Sequence, residues 1–181
     1  MVSLPIVSEN YYVKSPFQFS LRLESIQDVP PGHYLIQLET CGICRSDLLW
    51  LSYRSDSWEK IGHEFGGRVV KCGDGALQFR EGQRVAVKNA APCQRCPECL
   101  DGKPRLCRSV IVNKSGHDQF FLADERSLTN SDGMDKPLLG VVEPLGVAHE
   151  VVAAAHIEPG DSVLVFGLGV IGLLVGRLCS L

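Results

Sequence analysis

Four cysteines that share one short loop are the clearest chemical feature of the sequence. Cys93, Cys96, Cys99 and Cys107 are spaced three, three and eight residues apart. Prolines and a glycine between them argue against a regular helix or strand, so a looped chain could bring all four sulfurs to one ion. Zinc takes four thiolates tetrahedrally and then has no open position, which predicts a structural zinc site. Disulfides and free buried thiols are the alternatives.

Basic side chains accompany these cysteines. Four thiolates on one divalent ion leave a net negative charge. Arg95, Lys103, Arg105 and Arg108 lie in the same loop. We expect them to offset that charge.

A second group of residues that could bind metal is spread along the chain. It comprises Cys44, the adjacent pair His63 and Glu64, and Glu143. One thiolate, one imidazole and carboxylates suit a zinc ion that keeps an open coordination position. Each residue alone has an ordinary explanation, since a lone cysteine usually packs in a core and a lone glutamate is usually solvated. Glycines on both sides of the His-Glu pair favour a site that the backbone approaches closely.

A glycine-rich turn near the end of the sequence could bind phosphate. Gly167, Gly169 and Gly172 follow the apolar run Ser162 to Phe166 and precede an apolar helical pattern that ends at Leu181. A buried strand, this turn and a helix are the setting in which helix N–H groups meet a pyrophosphate. A tight turn in an ordinary α/β unit is the alternative.

Composition limits the classes of function. Of 181 residues, 45% are hydrophobic, and the formal charge of −3 leaves no basic excess for a phosphate backbone, so nucleic acid is not an expected partner. No apolar run approaches the roughly 20 residues of a membrane span, and the first ten residues do not resemble a signal peptide. With eight cysteines, four of them clustered, we expect a cytoplasmic protein that binds metal and no membrane.

The pattern of apolar residues predicts a mainly β first domain. From Phe17 to Leu38, alternating residues around a Pro-Pro-Gly turn predict a hairpin, and further strands are predicted at Gly67 to Lys71, Val85 to Lys88 and Gln119 to Ala123. Many short strands separated by turns favour a small barrel or sandwich.

After about residue 140 the pattern changes. Leu145 to Ile157 predicts a helix, and Ser162 to Phe166 predicts a buried strand. The helix that follows the glycine-rich turn completes one strand-turn-helix unit. We expect this unit to be the beginning of a second domain.

Several motifs in this order resemble those of the zinc-dependent medium-chain alcohol and polyol dehydrogenases. They are Cys41-Gly-Ile-Cys-Arg-Ser-Asp47, Gly62-His-Glu-Phe-Gly-Gly67, the four-cysteine loop, Phe79-Arg-Glu-Gly-Gln-Arg-Val85, Glu143-Pro-Leu145 and the glycine-rich turn. The resemblance covers nearly the whole chain. It is greatest to the sorbitol and threonine dehydrogenase branch, because Glu143 stands where the ethanol-oxidising branch has a cysteine.

The resemblance implies a GroES-like, partly open β-barrel catalytic domain over residues 1–145. Residues 146–181 would be the connecting helix and the incomplete start of a Rossmann domain that binds NAD or NADP. It also implies two zinc ions per chain, a small-molecule alcohol or polyol as substrate, and homo-oligomers of the full-length protein.

The resemblance also implies roles for single residues. Cys44 and His63 would bind the catalytic zinc, and Glu64 and Glu143 would be ligands or exchange with water. Cys41 would pack rather than bind metal. A hydroxyl both accepts and donates, so Ser46 could take the alcohol's proton and pass it outward. Asp47 could accept from the free ring nitrogen of His63 and fix its tautomer.

The sequence departs from the family pattern at two places. Many relatives have a histidine that relays the proton onward, and Leu49 stands at that position. Because an apolar side chain cannot relay a proton, water or the cofactor ribose would take that step. The segment Ser52 to Lys60, expected at the substrate pocket, lacks the prolines that often precede the Gly-His-Glu motif.

The expected activity is zinc-dependent hydride transfer between a secondary alcohol or polyol and NAD(P). A dinucleotide fold needs about six strands and an acidic residue about 20 positions beyond the glycine-rich turn. We therefore expect the isolated 181-residue chain to be inactive, with the missing strands supplied by a longer polypeptide or another chain. The alternative is a non-catalytic zinc-binding β-barrel module.

Overall fold

The computed structural model describes residues 2–52 and 57–181, which form three antiparallel sheets and four α-helices. The strands are β1 (Ile6–Lys14), β2 (Gln18–Ile26), β3 (His33–Gly42), β4 (Glu64–Cys72), β5 (Arg84–Val87), β6 (Ala90–Ala91), β7 (Ile111–Val112), β8 (Phe120–Asp124) and β9 (Leu128–Asn130). The helices are α1 (Arg45–Ser52), α2 (Pro97–Leu100), α3 (Val142–Ala154) and α4 (Val170–Cys179). The largest sheet has the order β8-β3-β4-β5-β9, with β1-β2 and β6-β7 as separate pairs.

The main hydrophobic core lies on one face of the five-stranded sheet. Tyr34 and Ile36 of β3 pack there with Phe65 of β4 and with residues of β5 and β8. Phe65 and Phe121 meet edge to face, with ring centroids 5.0 Å apart. Burial of each large apolar side chain stabilises the fold by about 1.5–3 kcal/mol. This core fixes β3 against β4, the two strands that lead to the candidate site.

The other face of β3 is also covered. Leu35 is fully buried and packs with Val29 and Phe120, and residues of the β1-β2 pair lie against this cluster. Because both of its faces are buried, β3 begins with three consecutive buried residues rather than a strict alternation.

The predicted hairpin between Phe17 and Leu38 is wrong in its pairing. Its two halves are strands, but β2 pairs with β1, and β3 pairs with β4 and β8. Alternating apolar residues define the faces of a strand and not its partner. The apolar face of β2 is exposed, with Phe19 at 63% and Leu23 at 68%.

The remaining strand predictions of the first domain are confirmed within one to three residues. Gly67 to Lys71 lies within β4, Val85 to Lys88 overlaps β5, and Gln119 to Ala123 overlaps β8. The sheets are open, as the expected partly open barrel requires.

The helix predicted from Leu145 is α3, which begins three residues earlier, at Val142. The predicted domain boundary at 145/146 therefore falls inside a continuous helix, and it stays a prediction. Together with the 3-10 turn Lys136–Val141, α3 forms a helical stretch of 19 residues that is apolar and long enough to cross a membrane by length and composition alone. This stretch packs against β3 and β4.

The strand predicted at Ser162 to Phe166 is wrong: these residues form no strand. A parallel strand needs hydrogen bonds from a neighbouring strand, and the described residues 2–52 and 57–181 supply none there. Leu164 and Phe166 are 77% and 89% exposed. The helix after the glycine-rich turn is confirmed as α4, which packs against α3.

Candidate functional site

Three of the predicted metal ligands converge at one end of the β3-β4 pair. A sulfur of Cys44, a ring nitrogen of His63 and a carboxylate oxygen of Glu64 all lie within 4.8 Å of one another. The cause is the antiparallel register, which sets Gly42 opposite Glu64. The chain leaving β3 and the chain entering β4 are thereby held side by side.

Gly42 makes room for the carboxylate of this group. A Cβ atom at position 42 would lie 2.4 Å from Glu64 Oε2, closer than any real contact. Glu64 is buried, with 8% of its surface exposed. A side chain at position 42 would therefore displace the Glu64 carboxylate.

Asp47 connects two of the three converging residues. Its Oδ1 lies 3.2 Å from His63 Nδ1, and its Oδ2 accepts a 2.9 Å hydrogen bond from the backbone N–H of Cys44. Asp47 is buried in the first turn of α1. An acceptor at Nδ1 leaves Nε2 as the ring nitrogen free to bind metal. The structure thus puts Asp47 where the sequence analysis expected it, beside the ring of His63.

Ser46 lies at the mouth of the same group. Its Oγ is 3.5 Å from His63 Nε2. Ser46 and His63 line a cavity of about 200 Å³ together with Asp47 and Trp50. Leu49 is not among the residues that line this cavity, and its side chain is half exposed.

Glu143 lies nearby but outside the group of converging ligands. It is in the first turn of α3, and no carboxylate oxygen of Glu143 joins the set within 4.8 Å among the described residues. Burial raises the pKa of Glu143, Glu64 raises it further, and His63 opposes them. The interactions with His63 and Glu64 place Glu143 near the site, and its role as a ligand stays a prediction.

Cys41 does not join this group within the part of the chain that the structure describes. Its sulfur lies against Gly62 and Gly116, where added Cβ atoms would come within 3.2 and 2.6 Å of it. Burial raises the pKa of Cys41 to about 12, and the carboxylates of Asp47 and Glu64 add to the effect. These contacts agree with a packing role.

The sulfurs of the four-cysteine loop form the second convergent group. Cys93, Cys96, Cys99 and Cys107 lie within 4.8 Å of one another. The sulfurs of Cys96 and Cys107 are 3.9 Å apart. Zinc-sulfur bonds of about 2.3 Å in a tetrahedron place sulfurs about 3.8 Å apart, so the loop has the dimensions of a zinc site.

Backbone N–H groups stabilise these sulfurs, a feature that the sequence analysis missed. The N–H of Cys93 and that of Ser109 donate to the sulfur of Cys107 at 3.3 and 3.4 Å. N–H groups of Arg95 and Cys96 lower the pKa of the Cys93 thiol, whereas burial and neighbouring sulfurs raise that of Cys99.

Three of the four basic residues of this loop pair with carboxylates, and their effect on the charge of the sulfurs stays a prediction. Lys103 pairs with Asp101, Arg105 with Glu150 and Arg108 with Glu98. Each of these three cations thus faces a carboxylate rather than the sulfurs. The order of charged residues along a loop does not show which of them will form ion pairs in the folded protein.

Residues 30–133 match the family model of the alcohol dehydrogenase GroES-like domain. This chain belongs to that family. The match contains the three converging ligands at positions 44, 63 and 64 and all four loop cysteines.

Characterised relatives are similar to this GroES-like protein over most of its length. L-galactonate-5-dehydrogenase of Escherichia coli (strain K12) is 32% identical over 77% of this chain and 43% of the relative. D-altritol 5-dehydrogenase of Agrobacterium fabrum is 30% identical over 83% of this chain and 48% of the relative. The chain thus spans less than half the length of these two relatives.

A solved structure shows the same fold. A protein from Sinorhizobium meliloti 1021, crystallised with NADP bound, superposes with a TM-score of 0.84 at 27% identity. The superposition covers 97% of this chain and 53% of that chain.

The glycine-rich turn of this GroES-like protein adopts a tight conformation. Gly167 has φ +92°, and Gly169 is the residue before the first turn of α4. A Cβ at Gly172 would lie 1.9 Å from the Gly167 carbonyl oxygen, so this position requires glycine. Binding of a pyrophosphate by this turn stays a prediction, and the strand expected before it is absent from the described residues.

Sequence reasoning did not find three side chains that line the cavity. Trp50, Asn89 and Lys114 border it beside Ser46 and His63. Trp50 lies in the second turn of α1, and the other two residues lie in loops outside any motif, so no local signal marks them. The segment Ser52 to Lys60 was expected at this pocket, and residues 53–56 of it lie outside the described residues.

Proposed function

We propose that this protein is the catalytic part of a zinc-dependent dehydrogenase that transfers hydride between a secondary alcohol or polyol and NAD(P). The observation that carries the proposal is the convergence of Cys44, His63 and Glu64 beside a polar cavity. Because the chain spans less than half of its relatives, we assign the complete reaction to this domain joined to a complete dinucleotide-binding domain.

The donor set fits zinc. A thiolate, an imidazole and a carboxylate are the ligand types of catalytic zinc sites, which keep a position open. Zinc held by Cys44, His63 and Glu64 would act as a Lewis acid that makes a substrate hydroxyl more acidic. A cavity of about 200 Å³ lined by His63 and Ser46 leaves room for a small hydroxylated substrate.

Ser46 and Asp47 supply the proton chemistry and the positioning. The Ser46 hydroxyl accepts the substrate's proton and passes it outward, because a hydroxyl can accept and donate at once. Asp47 holds His63 by its Nδ1 and the backbone of Cys44 by its Oδ2, so one carboxylate orients two ligands. Leu49 cannot transfer a proton, so solvent or the cofactor ribose takes it from Ser46.

Glu64 is the carboxylate ligand that the geometry favours. It lies within the convergent group, whereas Glu143 lies outside it and approaches from α3. Glu143 is the alternative carboxylate, as a ligand or through water.

The four-cysteine loop takes a second, structural zinc through Cys93, Cys96, Cys99 and Cys107. Four sulfur ligands leave no position for substrate. The ion would close a loop that has little regular structure of its own, so it stabilises the fold rather than the reaction.

The glycine-rich turn takes the cofactor pyrophosphate. Gly167, Gly169 and Gly172 let the backbone approach the phosphates, and the free N–H groups at the start of α4 donate to them. Whether the adenosine ribose carries a phosphate depends on residues outside this turn.

The setting we propose is a reducing cytoplasm, where the thiols stay available for metal. The partners are a small-molecule substrate and, in the complete protein, further copies of itself. Nucleic acid and membranes are not proposed partners, in keeping with the formal charge of −3 and a helical stretch that packs on the sheet.

Metal analysis of matched variants tests the proposal. Purified protein should contain about two zinc ions per chain, and Cys44→Ser should contain about one. Cys72→Ser, which removes a sulfur outside both groups, should still contain two. Two zinc ions in Cys44→Ser, or one in the unmodified chain, would refute the open site.

A further inference from the structure

The cavity beside the candidate zinc site contains a single basic side chain. Of the residues that line it in the described part of the chain, Lys114 is the only lysine or arginine. The other charged or ionisable lining residues are Asp47 and His63, which face each other at 3.2 Å. A neutral polyol does not need a cation in order to bind. The presence of Lys114 therefore bears on the charge of the substrate that the cavity accepts.

The backbone fixes the position of Lys114 relative to the site. On one side, the N–H of Asn113 donates to the carbonyl of Asn89 at 2.9 Å. On the other, the N–H of Gly116 donates to the carbonyl of Gly62, the residue before His63, at 3.2 Å. The loop that carries Lys114 is thus attached to the segment that carries a zinc ligand.

Side-chain contacts hold the ammonium group at the cavity wall. Lys114 Nζ lies 4.6 Å from the centroid of the Trp50 ring, within the range of a cation-π interaction. Its ion pair with Glu59 is long, at 3.9 Å. A closer charge-assisted hydrogen bond, at about 2.7–2.9 Å, remains available to an anion in the cavity.

We propose that Lys114 recognises an anionic group on the substrate, a carboxylate or a phosphate, so that sugar acids or sugar phosphates bind better than neutral polyols. The inference rests on the proposed function, since it names the substrate class of the same site. The substrate hydroxyl would face His63 and Ser46 while the anionic group meets Lys114. The small volume of the cavity, about 200 Å³ against about 300–1,000 Å³ for most ligand pockets, favours a compact polar molecule.

Binding of three matched six-carbon probes to the zinc-loaded chain tests this. The probes are D-glucitol, D-gluconate and D-glucitol 6-phosphate, which differ in the presence and type of anion. The chain has two tryptophans, so a Trp58→Phe background leaves Trp50, the ring under Lys114, as the only reporter of fluorescence. Titration calorimetry gives the affinity of each probe in each variant. Trp50 emission reports in addition whether an anion draws Lys114 from the ring.

We expect gluconate, the phosphate or both to bind at least tenfold more tightly than glucitol. Lys114→Gln should remove that preference without changing the affinity for glucitol, and Lys114→Arg should keep most of it. Lys71→Gln removes a charge on β4 that does not line the cavity and should leave all three affinities unchanged. Added salt should weaken the binding of the two anionic probes and leave the affinity for glucitol unchanged.

The pattern of results identifies the source of the anion. A preference for gluconate alone assigns a carboxylate, and one for the phosphate ester alone assigns a phosphate. Equal affinity for all three probes, no saturable binding of either anion, or an unchanged preference in Lys114→Gln would overturn the proposal.

The proposal for Lys114 and the proposed dehydrogenase function can fail independently of each other. Two zinc ions and binding of glucitol without an anion preference would reject only the role of Lys114. An anion preference that depends on Lys114 in a chain with no zinc at Cys44 would reject only the dehydrogenase site.

Discussion

Replacement of Asp47 by alanine removes a side chain that contacts two of the three converging residues. The Asp47 carboxylate accepts from the Cys44 N–H at 2.9 Å and lies 3.2 Å from His63 Nδ1. In Asp47→Ala the His63 ring is free to rotate and to adopt the other tautomer, and the Cys44 backbone loses its acceptor. Both ligands must then be ordered when zinc binds, so the affinity of the open site should fall.

The size of the loss follows from the kind of contact removed. Loss of a hydrogen-bond partner of a metal ligand typically costs 10–100-fold in metal affinity, which is about 1.4–2.7 kcal/mol. Because Asp47 serves two ligands, we expect a value toward the upper end. Asp47→Asn retains an acceptor oxygen for one of the two donors and should lose less.

Competition with a chromophoric zinc chelator measures this directly. The four-cysteine loop should retain its zinc, so only one of the two ions should be released more easily in Asp47→Ala. Asp28→Ala is the matched control, because Asp28 accepts a 2.8 Å hydrogen bond from the N–H of Val29 in the loop between β2 and β3. A zinc affinity of Asp47→Ala within twofold of the unmodified chain would refute the reasoning.

Two further predictions concern sterics and pH. Gly42→Ala should lose the zinc at the open site, measured by metal content, because its Cβ would lie 2.4 Å from Glu64 Oε2. Burial of Glu39 acts to raise its pKa, but Arg84 and Arg68 lower it overall. A depressed pKa in the folded state gives stability that is present above the unfolded value near 4.5 and is lost as pH falls through the folded value. Glu39→Gln should therefore cost about 1.5–3 kcal/mol in urea unfolding at pH 7, and the difference should shrink below pH 4.5.

Each of these two predictions has a control variant. Gly146→Ala adds a Cβ in open space within α3 and should keep both zinc ions. Glu81→Gln removes an exposed carboxylate and should show a smaller pH-dependent difference. Two zinc ions in Gly42→Ala, or a Glu39→Gln difference that does not vary with pH, would contradict the structural reasoning.

The sequence predicted the strands of the first domain better than their pairing. Short apolar segments bounded by turns located β4, β5 and β8. The pattern could not show that β2 pairs with β1, because the alternation within one strand does not identify the strand that lies beside it. The strand expected at Ser162 to Phe166 failed for a related reason: apolar content predicts a strand, but hydrogen bonds to neighbours make one.

The convergence of Cys44, His63 and Glu64 was predictable because short motifs carry these residues. Cys44 sits in the turn after β3, and His63 and Glu64 adjoin β4, so the pairing of two strands is sufficient to bring them together. Glu143 comes from α3, whose distance from the site depends on packing of a helix on a sheet, and no spacing rule fixes that. Lys114 lies in a loop placed by two backbone hydrogen bonds, which sequence cannot reveal.

Diffraction at the zinc absorption edge would test the central claim most directly. Crystals of the zinc-loaded protein should give two anomalous peaks per chain, one among the four loop sulfurs and one bonded to Cys44, His63 and Glu64. A single peak at the loop, or a second peak without Cys44 and His63 as ligands, would contradict the proposal that this site performs zinc-dependent chemistry.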